Sequence, residues 1–277
     1  PAISMRAFAE EGRLGTMELL LSSPISATSL VVGKVAACVG MLVVLGLPVL
    51  VLAGVAELYG RVDPGELLSG LLGLLLIGTA MASLGVLVSS RTTSQVVAYL
   101  VTFFACFALV LVVKGVPGLL PQVLPASANA SWIETIRSVD PLLRLDSFAL
   151  GLFDTANIVW FVAVVAFFML TAIVSLLAPR WPRAVGLGGR LGRLVSTGVF
   201  LLGGAVIAVS LVVVFSSPSV RIKSDFTKTR AYSLTPATVS LLETLDGSWS
   251  VYLLVSGDQT DVVTLRHVDE VLERMGA

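Results

Sequence analysis

Leu67–Ser90 (LLSGLLGLLLIGTAMASLGVLVSS) and Thr92–Val113 (TTSQVVAYLVTFFACFALVLVV) are two charge-free runs parted only by Arg91. A helix needs about 20 residues, at 1.5 Å each, to cross roughly 30 Å of hydrocarbon, so either run is long enough. A single helix over both would far overshoot a bilayer. The polar turn Ser89–Ser94 (SSRTTS) therefore marks a hairpin of two membrane helices. Val35–Ala56, Thr155–Pro179 and Leu194–Val220 are further runs of the same kind, which makes about five expected spans. Gly115–Ile133 is also uncharged but carries Pro117, Pro121 and Pro125, and reads as a loop or a re-entrant piece.

The whole composition agrees with these runs. Hydrophobic residues make up 56% of the 277 residues and charged ones 13%, against roughly half and a quarter in a soluble domain. Mean hydropathy is +0.96. The net charge of zero leaves no footprint for nucleic acid. Cys38 and Cys106 both fall inside apolar runs and read as buried, inert thiols. A single histidine, His267, rules out a histidine-rich metal cluster. No Asp, Glu, Lys, Arg or His interrupts any of the five runs, which argues against a proton relay, an ion pump or intramembrane catalysis. The chain has no G-x-x-x-x-G-K-[ST] loop, so it does not carry that device for ATP hydrolysis.

Arginine and lysine set the orientation. With residues 1–34 cytoplasmic, the inner segments hold Arg6, Arg13, Lys34, Arg91, Arg180, Arg183, Arg190 and Arg193, and the outer ones Arg61, Lys114, Arg137 and Arg144. The expected division is a cytoplasmic elbow at 1–34, membrane helices over 35–178 with an outer loop at 114–154, and a basic cytoplasmic linker at 179–193. A further membrane helix at 194–220 and the start of an extracytoplasmic α/β domain at 221–277 complete it. In that tail, Ser233–Leu242 reads as a helix capped by Thr235, Ser248–Val255 as a strand, and Val262–Met275 as an amphipathic helix. Beginning at Pro1 and stopping at Ala277 amid such a pattern, the chain is expected to be a piece of a longer protein.

The elbow concentrates charge beside the membrane. Glu10, Glu11, Arg13 and Glu18 alternate with Phe8, Leu14, Met17 and Leu19–Leu21. Gly12 and Gly15 weaken helix continuity, Thr16 is placed to cap a second short helix, and Ser26 to cap the first membrane helix. An amphipathic helix-turn-helix on the membrane surface follows, either a simple interfacial anchor or a surface for a soluble partner. In the second run, Gly78, Ala82 and Gly85 allow close helix approach, for packing within the chain or for a dimer.

Arg6, Ala9-Glu10-Glu11, Gly15-Thr16, Glu18-Leu19-Leu20-Leu21 and Pro24-Ile25-Ser26, followed by Gly33-Lys34, resemble the membrane subunit of type-2 ABC exporters, especially the gliding-motility-associated branch. Gly78–Gly85 (GTAMASLG) and Ser89–Ala98 (SSRTTSQVVA) are similar to that family's fourth helix, turn and fifth helix. Asp225–Thr238 (DFTKTRAYSLTPAT) resembles the auxiliary extracytoplasmic protein of such systems, fused here to the permease. The resemblance implies a bacterial inner-membrane permease, dimeric in the bilayer, that exports cargo without being an enzyme itself. ATP and magnesium would sit on a separate ABC ATP-binding subunit. It further implies that Glu10, Glu11 and Glu18 meet polar groups of that subunit, that Gly12, Gly15 and Thr16 shape the turn, and that Leu19, Leu20 and Leu21 enter an apolar groove. The family's first two membrane helices have no counterpart in this sequence. An alternative of another class is a membrane-anchored sensor or scaffold whose outer α/β domain binds a partner. An enzyme in the outer loop would have Asp140, Asp146 and Asp154 available, without an evident nucleophile–base pair.

Overall fold

The computed structural model describes residues 1–60, 62–123, 140–177, 187–217 and 220–228, and Ser240. In chain order the elements are α1 (Ala9–Leu14), α2 (Met17–Ser22), α3 (Ala27–Tyr59), α4 (Pro64–Ser89), α5 (Gln95–Val123), α6 (Pro141–Ala149), β1 (Leu152–Asp154), α7 (Thr155–Leu177), α8 (Leu187–Ser216) and β2 (Lys223–Asp225). The expected tail helix, strand and amphipathic helix after residue 229 lie outside the described residues.

Among the described residues four helices are long and apolar enough to cross a membrane: α3, α4, α5 over Gln95–Gly115, and α7. They carry the first four charge-free runs, and the architecture is that of a polytopic α-helical membrane protein. The fifth run falls in α8, whose apolar section Leu202–Phe215 is shorter. Leu45, Leu52, Phe104, Leu111, Val206 and Val213 are each more than half exposed, a belt that suits lipid rather than water.

Helix starts follow local chemistry. Ser26 caps α3, its Oγ accepting from Ser29 N at 3.1 Å. Asp63 and Asp140 each precede a proline at the first helical turn and accept from Gly65 N and Leu142 N at 2.8 Å. Asp154 accepts from Ala156 N at 2.9 Å where α7 begins. Each carboxylate satisfies a backbone donor that the helix itself leaves open and meets the positive end of the helix dipole.

Two expectations need correction. Of the two readings of the stretch after Lys114, plain loop does not hold at its start, because α5 continues through Pro117 and Pro121 to Val123. Proline's fixed φ near −65° is itself helical, but each interior ring gives up one backbone bond and crowds the carbonyl four residues back, at a cost of about 3 kcal/mol. The basic segment 179–193 is not linker to its end, because α8 begins at Leu187. Local propensity does not explain this extension, because Gly188, Gly189 and Gly192 disfavour helix more than Leu187, Arg190, Leu191 and Arg193 favour it.

Helix α4 is central and touches α3, α5, α6 and α7, while α8 packs on α7. The three small residues read from the second run all meet neighbours within the chain. A Cβ on Gly78 would reach 3.0 Å from Leu42 on α3, and one on Gly85 would lie 1.9 Å from Ser4 Oγ. Ala82 is buried between them in the elbow-end core. Gly73 makes the corresponding close approach to Phe148 of α6.

At the end of the bundle away from the elbow, β1 pairs antiparallel with β2, Leu152 facing Asp225 and Asp154 facing Lys223. Arg221 Nη2 donates to Asp154 Oδ2 at 2.7 Å, and the Phe153 and Phe226 rings meet edge to face at 5.5 Å. Lys228 N donates to Asp63 Oδ2 at 2.7 Å. Backbone passes so close to α4 here that a Cβ on Gly65 would lie 1.8 Å from the Phe226 carbonyl oxygen. The start of α7 and the residues after α8 are thus held together, with α7 leading away from this end and α8 returning to it.

Candidate functional site

The elbow is built around Phe8. Its ring is 1% exposed and enters a core formed by Val31, Val35 and Cys38 of α3, Ala82 and Val86 of α4, and Ala172 and Leu176 of α7. One aromatic side chain of the elbow therefore bears on three membrane helices at once. Burying a phenylalanine side chain contributes about 1.5–3 kcal/mol in transfer alone.

A hydroxyl from another element holds the start of α1. Ser89, the last residue of α4, accepts from both Phe8 N and Ala9 N at 2.9 Å and donates to Met5 O at 3.1 Å. Phe8 occupies the cap position and has no oxygen to offer, so Ser89 supplies the cap across 80 residues of sequence. The negative end of α4 thereby meets the positive end of α1. Gly12 sits over the α4–α5 turn, where an added Cβ would lie 3.3 Å from Thr93 Cγ2.

A second link runs to α3. Lys34 Nζ donates to Glu11 Oε1 and lies 5.6 Å from the centroid of the Phe8 ring. Among the described residues, Glu11 Oε2 is buried without a hydrogen-bond partner. Glu10 and Glu11 are both half-buried, and Glu11 is the one paired to Lys34.

Gly15, at φ +72°, ends α1 in the left-handed conformation that glycine adopts without strain. The expected Thr16 cap is not made: Thr16 precedes α2 but keeps helical dihedrals, φ −78° and ψ −8°, and its hydroxyl donates to Glu11 O at 3.4 Å. A side-chain cap needs extended backbone, and one residue after Gly15 the chain is still leaving α1. Beyond this turn the surface is open. Leu14 is 63% and Leu19 72% exposed, Gly15, Thr16 and Glu18 are exposed, and Leu20 is half-buried. The exposed rim Leu14–Leu19 is apolar at its ends and acidic at Glu18. The inner face is spent on the bundle.

Sequence reasoning placed Phe8 and Lys34 in the elbow without a role and missed Ser89, which reads as an ordinary turn serine. A hydroxyl at a helix C-terminus beside a capless helix start is a signal only once the two are known to meet. Among the described residues no group of three His, Cys, Asp or Glu side chains is placed to hold a metal ion. Asp140 pairs with Lys114 at 3.1 Å, as Asp154 does with Arg221, so these two carboxylates serve the fold.

Comparison with curated proteins and with solved structures gave no match. The sequence model of the family described as ABC-2 family transporter protein matches residues 1–143, which takes in the elbow and the helices α3, α4 and α5. Since that match spans just over half of the 277 residues, the chain belongs to the ABC-2 transporter family, as a multi-pass membrane protein.

Proposed function

We propose that this chain is the membrane permease of an ATP-driven export system in a bacterial inner membrane, energised by a separate ABC ATP-binding subunit that docks on the elbow. The observation that carries this reading is the two-sided elbow: one face locked to α3, α4 and α7, the other presenting Leu14, Glu18 and Leu19 to solvent. Such an element transmits force only if the partner makes different contacts in its two nucleotide states. Leu19 and Leu14 would enter an apolar groove, Glu18 and Glu10 would meet basic or polar groups, Gly15 and Thr16 would shape the turn, and Leu20 would support Leu19. Glu11 and Gly12 would act inward, through Lys34 and Thr93.

Arg6, Arg13, Lys34 and Arg91 favour a cytoplasmic elbow end. In this reading α8 is a fifth crossing. The β1–β2 pairing supports it, because it holds the residues after α8 at the same end as the start of α7. Residues 221–277 then begin an extracytoplasmic α/β domain fused to a permease of the gliding-motility-associated branch, and two permeases assemble in the bilayer. Co-expression with an ATP-binding subunit and affinity capture through the permease tests the docking surface. Leu14→Glu combined with Leu19→Glu is expected to abolish capture while leaving the permease folded. Undiminished capture by the folded double variant would overturn the assignment.

A further inference from the structure

A cleft of about 690 Å³ opens between α7 and α8, within the range of roughly 300–1,000 Å³ typical of ligand sites. One wall is Trp160, Ala163, Val164, Phe167 and Phe168, and the other Ala205, Ala208, Val209, Val212 and Val213. Both sets recur at three- and four-residue spacing, so each is a single helix face. The alanines make the space: larger side chains there would let the two helices interlock. The elbow-ward end is shut where Gly204 meets Leu170, a Cβ there lying 2.5 Å from Leu170 Cδ2. The other end carries Ser217 and Arg144.

Arg144 defines that end chemically. Its guanidinium lies 4.9 Å from the centroid of the Trp160 ring, and Nη1 donates to Asn157 Oδ1 at 2.9 Å. Burial pulls its pKa below the ordinary value, Asp154 pushes it back up, and Arg221 lowers it. An arginine stays charged in any case. From Ala205 to Ser217 the cleft is roughly 18 Å deep at 1.5 Å per residue, close to one leaflet, half of about 30 Å. Trp160 beside Arg144 sits where tryptophan is favoured, at the boundary of hydrocarbon and headgroups. Val209 and Val213 of the α8 wall are each more than half exposed, so the cleft faces the bilayer.

We propose that this cleft binds an anionic phospholipid of the leaflet away from the elbow, its phosphate at Arg144 and its acyl chains between α7 and α8. An apolar slot one leaflet deep with a cation at headgroup height matches that chemistry. The site rests on the reading that α8 crosses the bilayer, but it does not involve the elbow or an ATP-binding subunit, so it stands or falls apart from transport.

The test uses the full chain alone, in nanodiscs of equal phosphatidylglycerol and phosphatidylcholine content, with co-purified lipid counted by native mass spectrometry. Phosphatidylglycerol is expected to be retained roughly tenfold over phosphatidylcholine, whose phosphate makes the same contact but whose choline cation is repelled by Arg144. Arg144→Gln should bring the two to parity, and Ala208→Trp should cut retention of both. Where Arg144→Gln lowers yield, Ala208→Trp on the opposite wall carries the test. Equal retention of both lipids by the unmodified chain would overturn the proposal. So would Ala208→Trp changing the oligomeric state with the lipid count unchanged, since the cleft would then hold a second copy.

Discussion

Replacing Ser89 by alanine removes one oxygen that serves three backbone groups of a different element. Ser89, Phe8 and Ala9 are each at most 1% exposed, so water does not stand in for the lost hydroxyl. Two buried N–H donors are left open, at about 1–3 kcal/mol each, while deleting an ordinary N-cap costs about 0.5–2 kcal/mol. The ranges meet near 2 kcal/mol, which is roughly 30-fold in the equilibrium between docked and open elbow. The rest of the fold does not use this oxygen, so the effect is local. Hydrogen exchange of the full chain in nanodiscs reads it directly. Amides of Phe8–Leu14 are expected to exchange roughly 30-fold faster in Ser89→Ala, with those of α7 unchanged. Unchanged exchange in the elbow, or equal acceleration throughout, would refute the reasoning that Ser89 is a local clamp.

Three further outcomes follow from the same geometry. Phe8→Ala should lower stability by about 3–5 kcal/mol, seen as an earlier unfolding midpoint in detergent, because its cavity opens among α3, α4 and α7. A double-mutant cycle of Glu11→Gln and Lys34→Met should return a coupling of about 1–3 kcal/mol; a coupling near zero would remove Lys34 as the link to α3. Gly65→Ala should drive the Phe226 carbonyl off α4 at a cost of about 1–3 kcal/mol, measured as faster tryptic cleavage after Lys223 and Lys228.

The membrane helices were legible because hydrocarbon excludes charge from every position of a span, and the runs at Leu67–Ser90 and Thr92–Val113 carry none. Helix starts were legible where the capping side chain lies next to its helix, as at Ser26. Asp140-Pro141 offered the same signal for α6, with Leu142, Leu145 and Phe148 behind it at three-residue spacing. Links between distant residues left no local trace. Ser89 serves amides about 80 residues away, Lys34 and Glu11 lie on different helices, and β1 and β2 are three residues each, too short for alternation to register. The elbow was therefore visible as an amphipathic object, but which of its faces was already occupied was not. Glu10 and Glu11 read alike in sequence, yet only Glu11 is tied to α3.

The central claim is that the open rim of the elbow receives an ATP-binding subunit. A photo-crosslinking amino acid at position 19, with position 52 on the lipid-facing side of α3 as control, tests it in membranes containing both subunits. Crosslinks from position 19 to the ATP-binding subunit, changing in yield when ATP is added and missing from position 52, are the result this account predicts. An ATP-binding subunit that co-purifies with the permease yet never crosslinks to position 19 would contradict it.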